Sequence, residues 1–189
     1  MDELTRSIRS ALGSKARIPG PLVREWIQRA SDVETDALLY QLTREGWNRI
    51  LPRLEAAETC ALIQRYLLGC IRDNPNSGSA LSRYEAAGEL EAWFDHLASQ
   101  EHTHEILRGI VGEITTLFLN GDDQVRAAVE TGFLEHVLEQ PRMRPLFSGW
   151  ANDGRLQETW RHALASSEAH PNLMRGLREQ LRDRHLDRE

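Results

Sequence analysis

The sequence predicts an all-α protein, and three observations lead to that fold class. Apolar residues recur at helical spacing in every long segment of the chain. Ser-x-x-Glu pairs, which cap helix starts, precede two of those segments. The alternation of apolar and polar residues that is typical of strands is missing. These features fit a single-domain irregular helical bundle or an array of packed helices.

Proline, glycine and charge divide the chain into three parts. Residues 1–20 are predicted to form an N-terminal helix and a linker, because apolar residues share one side of the first segment and a Gly- and Pro-rich stretch follows it. Residues 21–170 are predicted to form a helical core domain. Residues 171–189 are predicted to form a charged C-terminal helix, in which acidic and basic residues alternate.

Three helices are predicted in the first half of the core domain. Pro21 suits the first turn of the first of them. Ser31 and Glu34 have the spacing of a capping box, which predicts a second helix that ends near Glu45. Residues 54–71 predict the third helix, which we expect to be central because it is apolar on nearly every side.

Three more helices are predicted in the acidic middle of the chain. Ser82 and Glu85 form a second capping box at the start of a helix over 81–98. Residues 106–118 carry the clearest amphipathic pattern of the sequence. A further amphipathic helix is predicted over 123–139.

His136 falls within the apolar stripe of the 123–139 helix. We expect a buried imidazole with a hydrogen-bond partner there, in preference to a catalytic or switching group. Two shorter helices are predicted after it, near 154–166 and 172–186.

Composition and charge argue against several classes of protein. Charged residues are 28% and hydrophobic residues 40% of the 189 residues, as in one soluble globular domain. No run approaches about eighteen uncharged apolar residues, so no transmembrane helix and no membrane partner are expected. The acidic start of the chain lacks the apolar region of a signal peptide, which favours a cytoplasmic location. A nucleic-acid partner is not expected, because the chain is acidic and its arginines are spread.

Most of the acidity lies in residues 85–139. Twelve Asp and Glu residues stand against two arginines there, a local charge of about −10. Such a surface would speed association with a cationic protein and make binding sensitive to salt. The leading hypothesis is therefore a protein–protein interaction module that binds a basic protein partner through an acidic helical face. The candidate binding residues are Glu85, Glu89, Asp95, Glu101 and Glu105.

The same stretch offers a possible metal site. Carboxylates and imidazoles on facing helices can bind a metal ion. The candidate ligands are Glu85, Glu89, His96, His102 and His104. A solvated acidic face is the alternative, because the Glu-x-x-His spacing of di-iron bundles is missing. No motif for nucleophilic catalysis or phosphate binding is found, so no catalytic residue and no cofactor are assigned, and enzyme activity stays open.

Two short motifs resemble known helical proteins. The segment Asp-Gln-Val-Arg-Ala-Ala from Asp123, followed by Leu134, is similar to the second helix of a HEAT repeat, which implies a HEAT-like helical array as the alternative to an irregular bundle. The longer pattern Asn-Gly-Asp-x-x-Val from Asn120, completed by Gly-Phe-Leu-Glu up to Glu135, resembles a motif of small bacterial α-helical proteins of uncharacterised function. Some of those proteins are associated with polymorphic-toxin immunity. The resemblance implies a bacterial helical interaction protein and brings no catalytic residues with it.

Three functional hypotheses follow. The interaction module has its sharpest form in an immunity protein that neutralises a basic toxin, such as a nuclease. The first alternative is a structural or scaffolding helical protein, in which the acidity serves only solubility. The second alternative is an enzyme or metal-binding protein that uses the Glu and His side chains.

Overall fold

A computed structural model describes residues 3–75 and 79–169, and nearly every ordered element in them is a helix. The all-α prediction is confirmed. The chain divides into two compact units, Met1–Leu90 and Glu91–Glu189. The predicted charged helix over 171–189 lies outside the described residues, and the predicted boundaries at residues 20 and 170 stay predictions.

The first unit combines helices with one small pair of strands. In chain order its described elements are α1 (Glu3–Gly13), β1 (Ile18–Pro19), α2 (Gly20–Arg29), α3 (Val33–Glu45), a 3-10 turn (Trp47–Arg49), β2 (Ile50–Leu51), α4 (Ala56–Asp73) and the first half of α5 (Arg83–Ala98). Helix α3 packs against both α1 and α4.

The core of the first unit forms around α3. Leu39 and Leu42 of this helix are fully buried, and Leu4 and Ile8 of α1 are buried in the same cluster. The second half of α4 is buried without a break from Tyr66 to Ile71, as expected of a helix that is apolar on nearly every side. The N-terminal helix is therefore packed into the core of this unit.

Two short strands depart from the sequence prediction. Strands β1 and β2 pair in parallel, with Ile18 opposite Ile50 and Pro19 opposite Leu51. The expectation that the chain contains no strand is wrong at this position. Each strand has only two residues, which is too short for an alternating pattern, and the pairing joins residues that are distant in sequence.

The predicted helix caps are partly correct. Asp32 caps α3, since its carboxylate accepts from the backbone N–H and the hydroxyl of Thr35, both over 2.8 Å. The predicted Ser31–Glu34 box is therefore wrong, because the helix begins at Val33 and Asp32 occupies the N-cap position. The capping box that begins at Ser82 is confirmed.

Arginine side chains close helix ends in the first unit. Arg83 is buried, and its guanidinium donates to the carbonyls of Ile71 and Arg72 at the end of α4, over 2.6 and 3.0 Å. Arg49 donates to the carbonyl of Ala11 at the end of α1, over 3.0 Å. A cation there satisfies carbonyls that lack a partner within the helix and interacts favourably with the helix dipole.

The second unit continues with the rest of α5 and seven further helical segments among its described residues. They are α6 (His104–Asn120), α7 (Asp123–Val129), a π turn (Glu130–Leu134), α8 (Glu135–Leu138), a 3-10 turn (Arg144–Phe147), α9 (Ser148–Asn152) and α10 over residues 157–169. The segments over 144–152 were not predicted from the sequence.

Aromatic side chains form much of the core of this unit. Phe94 meets Phe133 edge-on, with the ring centroids 5.6 Å apart. The ring centroids of Trp150 and Phe118 lie 5.1 Å apart, and the indole N–H of Trp150 donates to the hydroxyl of Thr115 over 2.8 Å. Aromatic pairs of this kind contribute about 0.5–1.5 kcal/mol each beyond their buried area.

A π turn interrupts the predicted helix over 123–139. The backbone N–H of Glu135 donates to the carbonyl of Glu130, five residues back, so one extra residue is accommodated in the turn. After the turn, the buried positions therefore lie one residue later in the sequence than a continuous α-helix would place them. Its residues are Val125, Ala128, Val129, Phe133, Leu134, Val137 and Leu138.

The shifted stripe places His136 on the surface. Its side chain is 45% exposed, and its Nδ1 lies 3.2 Å from Oε1 of Glu139. The prediction of a buried imidazole is wrong, because it assumed an uninterrupted α-helical period, and the π turn gives the buried position to Val137.

Within residues 3–75 and 79–169, no helix is both long and apolar enough to cross a membrane. The cytoplasmic location stays a prediction from the sequence.

Candidate functional site

Glu85, the first candidate binding residue, acts at the start of α5. Its carboxylate accepts from the backbone N–H of Ser82 over 2.9 Å, and the hydroxyl of Ser82 accepts from the backbone N–H of Glu85 over 3.4 Å. The hydrogen bonds from Ser82 hold the pKa of Glu85 below its usual range. Replacing Glu85 would therefore disturb the helix start as well as any partner surface.

Glu89 has partners within the first unit. Its Oε2 accepts from the hydroxyl of Tyr40 over 3.1 Å and lies 3.4 Å from Nη1 of Arg44. The Arg44 guanidinium also lies over the Tyr40 ring, 5.5 Å from its centroid. Burial raises the pKa of Tyr40, and the negative charge of Glu89 acts in the same direction. The phenol therefore stays protonated and donates its hydrogen bond.

Tyr40 and Arg44 line a pocket of about 650 Å³, together with Gln41, Glu45 and Tyr66 among others. This lining offers hydrogen-bond donors and acceptors for a polar group. Histidine and cysteine are not among the described residues of this lining.

Asp95 belongs to a mixed cluster in the second unit. Its Oδ1 lies 2.6 Å from Nη2 of Arg142. Burial raises the pKa of the nearby Glu91; the charges of Asp95 and Glu139 add to this shift, and His136 opposes it. This cluster contains its own basic groups, so it presents less net negative charge than its acids alone would give.

Glu101 and Glu105 face solvent. The Glu101 side chain is 95% exposed, and its Oε2 lies 4.0 Å from Nε2 of His102. Glu105 is exposed in the first turn of α6. Glu113, which the sequence prediction left out, is exposed about two turns further along the same helix. In the part of the chain that the structure describes, Glu105 and Glu113 form no ion pair.

The exposed side of α6 is open as well as acidic. It carries Glu105, Glu113, Arg108, Gly109 and Gly112. A Cβ atom built at either glycine would meet nothing within 4 Å. We call this side, together with Glu101 in the preceding turn, the α6 face. The spacing of Glu105 and Glu113 on the polar side of a predicted helix was the sequence signal that could have identified Glu113.

The five metal candidates do not assemble into a site. The two glutamates have the partners given above, and Nε2 of His96 lies 2.8 Å from the side-chain amide of Gln100. His102 is 94% exposed in the turn before α6, and His104 is the first residue of that helix. No group of three or more His, Cys, Asp or Glu side chains in residues 3–75 and 79–169 could hold a metal ion.

A groove between α1 and α2 of the first unit was not foreseen from the sequence. Its volume is about 790 Å³, and its lining includes Leu22, Trp26, Arg17, Arg29 and Glu25. The sequence signal that could have found it is the charge of residues 3–30, where six basic residues stand against two acidic ones. That local excess was hidden by the acidity of the whole chain.

Comparison of the chain with protein-family models, curated proteins and solved structures gave no match. The resemblance to small bacterial helical proteins over Asn120–Glu135 therefore stays a prediction. In the structure this segment contains the cap of α7, where Oδ1 of Asp122 accepts from the backbone N–H of Val125 over 2.8 Å, and the π turn.

Proposed function

We propose that the protein is a protein–protein interaction module that binds a basic protein partner through the α6 face. The observation that carries the proposal is the exposure of Glu101, Glu105 and Glu113, of which the last two have no ion-pair partner among the described residues. The binding residues predicted on α5 are engaged within the chain instead, so the proposed interface moves from α5 to α6 and the turn before it.

Charge in the second unit supports this proposal. Residues 91–169 contain thirteen acidic residues and six arginines, a formal charge of −7. Exposed charges act over about 8 Å at physiological ionic strength, and they affect the rate of association more than the lifetime of a complex. A basic protein would therefore be attracted to this unit, and the open glycines of α6 would allow its surface to approach the helix closely.

An immunity protein that neutralises a basic toxin in the cytoplasm is the narrower form of this proposal. It depends on the resemblance over Asn120–Glu135 alone. Its additional consequence is that a captured partner is a toxic enzyme whose activity falls when the complex forms.

Charge reversal on the α6 face tests the proposal. A partner captured with the full chain and identified by mass spectrometry would be purified, and its association rate would be measured at low and high salt. We expect the double variant Glu101→Lys/Glu113→Lys to reduce that rate at least tenfold at low salt. We expect the difference from the unchanged protein to shrink at high salt.

The matched control is Glu45→Lys/Glu158→Lys, which makes the same change in net charge at exposed sites on α3 and α10. This variant should associate within about twofold of the unchanged protein. Equal rates for the two double variants, or rates that do not depend on salt, would exclude the α6 face as the interface. The scaffolding hypothesis would then take its place.

A further inference from the structure

We infer that the groove between α1 and α2 is a second docking site, which takes an acidic amphipathic helix of a partner protein. It lies in the first unit, its charge is opposite to that of the α6 face, and its argument is independent of the proposed function.

The shape of the groove suits a helix. One side of α1, the segment 14–19 and one side of α2 form its walls and floor. Two helices with a channel between them offer the surface on which an amphipathic helix lays its apolar side.

An apolar contact is available on the floor of the groove. Ile18 and Trp26 are buried there, and Leu22 is 36% exposed, one of the few large hydrophobic side chains exposed among the described residues. An apolar side chain on the partner helix would cover Leu22 and remove that surface from water.

Charge complementarity selects an acidic partner. Glu25 is one of the two acidic residues of the lining, and it is paired with Arg29, 3.0 Å away. Glu3, the other acid, stands in the first turn of α1. Arg17 is exposed and forms no ion pair with any described residue. The described lining carries three arginines, Arg6, Arg17 and Arg29, against these two glutamates, a formal charge of +1, and it lies in a segment whose excess charge is positive.

Hydroxyl groups add hydrogen-bond donors to the same wall. The Ser14 hydroxyl accepts from the backbone N–H of Ala16 over 3.0 Å, so its own proton can be donated to a ligand. Ser10 is exposed along the same side of α1. Carboxylates on the partner helix would accept these bonds.

A nucleic acid fits this groove less well than an acidic helix. Single-stranded bases need exposed aromatic faces on which to stack. Trp26 is the one aromatic residue of the described lining, and it is only 5% exposed.

A designed peptide tests the inference. The probe is a fluorescein-labelled helical peptide of about four turns, with leucine at helical spacing on one side and glutamate beside it; a second peptide carries lysine in place of glutamate. Fluorescence anisotropy with the full chain should show binding of the glutamate peptide and none of the lysine peptide. Arg17→Glu should weaken binding at least tenfold, and Leu22→Ala at least fivefold.

Two matched controls separate docking in the groove from general attraction. Arg9→Glu makes the same charge change at an exposed residue of α1 that does not line the groove. Leu51→Ala truncates a leucine that is 42% exposed and also lies outside the lining. Both should change binding by less than twofold, and so should the α6 variant Glu101→Lys/Glu113→Lys.

Three results would overturn the inference. The first is failure of the glutamate peptide to bind the full chain. The second is an equal loss of binding in Arg9→Glu and Arg17→Glu, or in Leu51→Ala and Leu22→Ala. The third is tighter binding of a single-stranded RNA of equal charge that is lost in Arg17→Glu, which would assign the groove to nucleic acid. None of these results bears on the α6 face.

Discussion

The two units of the chain use charge differently. Residues 3–90 contain twelve basic and eleven acidic residues, so the first unit is nearly neutral. Several of its ion pairs join separate elements: Nε of Arg24 lies 2.7 Å from Oε1 of Glu58, and Nη2 of Arg65 lies 2.5 Å from Oδ1 of the buried Asp36. These ion pairs link helices within the unit, so the acids that form them are not available to another protein.

The second unit carries an acidic excess instead. It has ion pairs of its own, such as Asp95 with Arg142, but Glu105 and Glu113 on α6 have none among the described residues. The local charge of a sequence therefore does not measure the charge that the folded chain offers to a partner. Only acids without an ion-pair partner inside the chain are available to bind another protein.

The largest expected effect concerns the helical register of the second unit. Thr116 in α6 and Thr131 in the π turn are both exposed, and each donates its hydroxyl to the carbonyl four residues back. Deleting Thr116 would rotate Phe118 away from Trp150, and we expect a loss of about 3–5 kcal/mol, as for removal of a buried aromatic side chain. Deleting Thr131 should cost less than about 1 kcal/mol.

The reason is that removing one residue from the π turn restores a continuous α-helix, with the buried stripes on both sides in register. Urea denaturation followed by tryptophan fluorescence and circular dichroism measures both changes. Equal losses of stability in the two deletion variants would show that the π turn is not a tolerated insertion.

The next effect compares arginines at helix ends in the two units. Arg83 is 7% exposed, and Arg83→Met would leave the buried carbonyl of Ile71 and the partly buried carbonyl of Arg72 without this donor, so we expect a loss of about 2–3 kcal/mol. Arg144 donates to the carbonyl of Leu138 over 3.0 Å, and its side chain is 29% exposed. Arg144→Met should cost about 1 kcal/mol, because water can reach the carbonyl that it leaves.

The same denaturation experiment checks this pair of arginine variants. An Arg83→Lys variant serves as a further control, since lysine keeps the charge but cannot donate in two fixed directions. If Arg83→Lys keeps full stability, the first unit does not depend on the buried guanidinium of Arg83. If Arg144→Met costs as much as Arg83→Met, burial of the carbonyls does not set the loss of stability.

A smaller effect separates paired from unpaired acids. Glu89→Lys would remove the bond from Tyr40 and place a second cation near Arg44, and we expect a loss of about 1 kcal/mol, because Glu89 is partly exposed. Glu113→Lys should change stability by less than about 0.5 kcal/mol. A loss of 1 kcal/mol or more in Glu113→Lys would mean that α6 is not a surface free for a partner.

The smallest effect is a pH dependence in the second unit. Nδ1 of His162 lies 2.5 Å from Oε1 of Glu130, and this hydrogen bond raises the pKa of His162 above its usual 6.5. The folded state therefore holds the proton more tightly than the unfolded state. The stabilisation is fully present below pH 6.5, and it is lost as the pH rises through the raised value.

Titration of the histidine ring signals by NMR checks this dependence. The pKa of His162 should fall in the variant Glu130→Gln, and the stability difference between the unchanged protein and His162→Gln should shrink as the pH is raised. A His162 pKa that is the same with and without Glu130 would contradict the contact.

The fold class and most helix positions could be predicted from the sequence alone. Helical spacing and capping chemistry depend on residues three or four positions apart, so they can be detected in a short window. The helix after Ser82 and the apolar stripe of α6 follow from such local patterns, and both are found in the structure.

Which acids are available to a partner protein, and which residues line the groove, depends on contacts between distant residues. Glu89 meets Tyr40, 49 positions away, and Asp95 meets Arg142, 47 positions away, and no local pattern reports such pairs. The π turn is local, but it inserts one residue into a period that the sequence pattern assumes to be constant, so His136 was assigned to the wrong side. Contacts between distant residues depend on how helices pack, and periodicity along the chain carries no record of that packing.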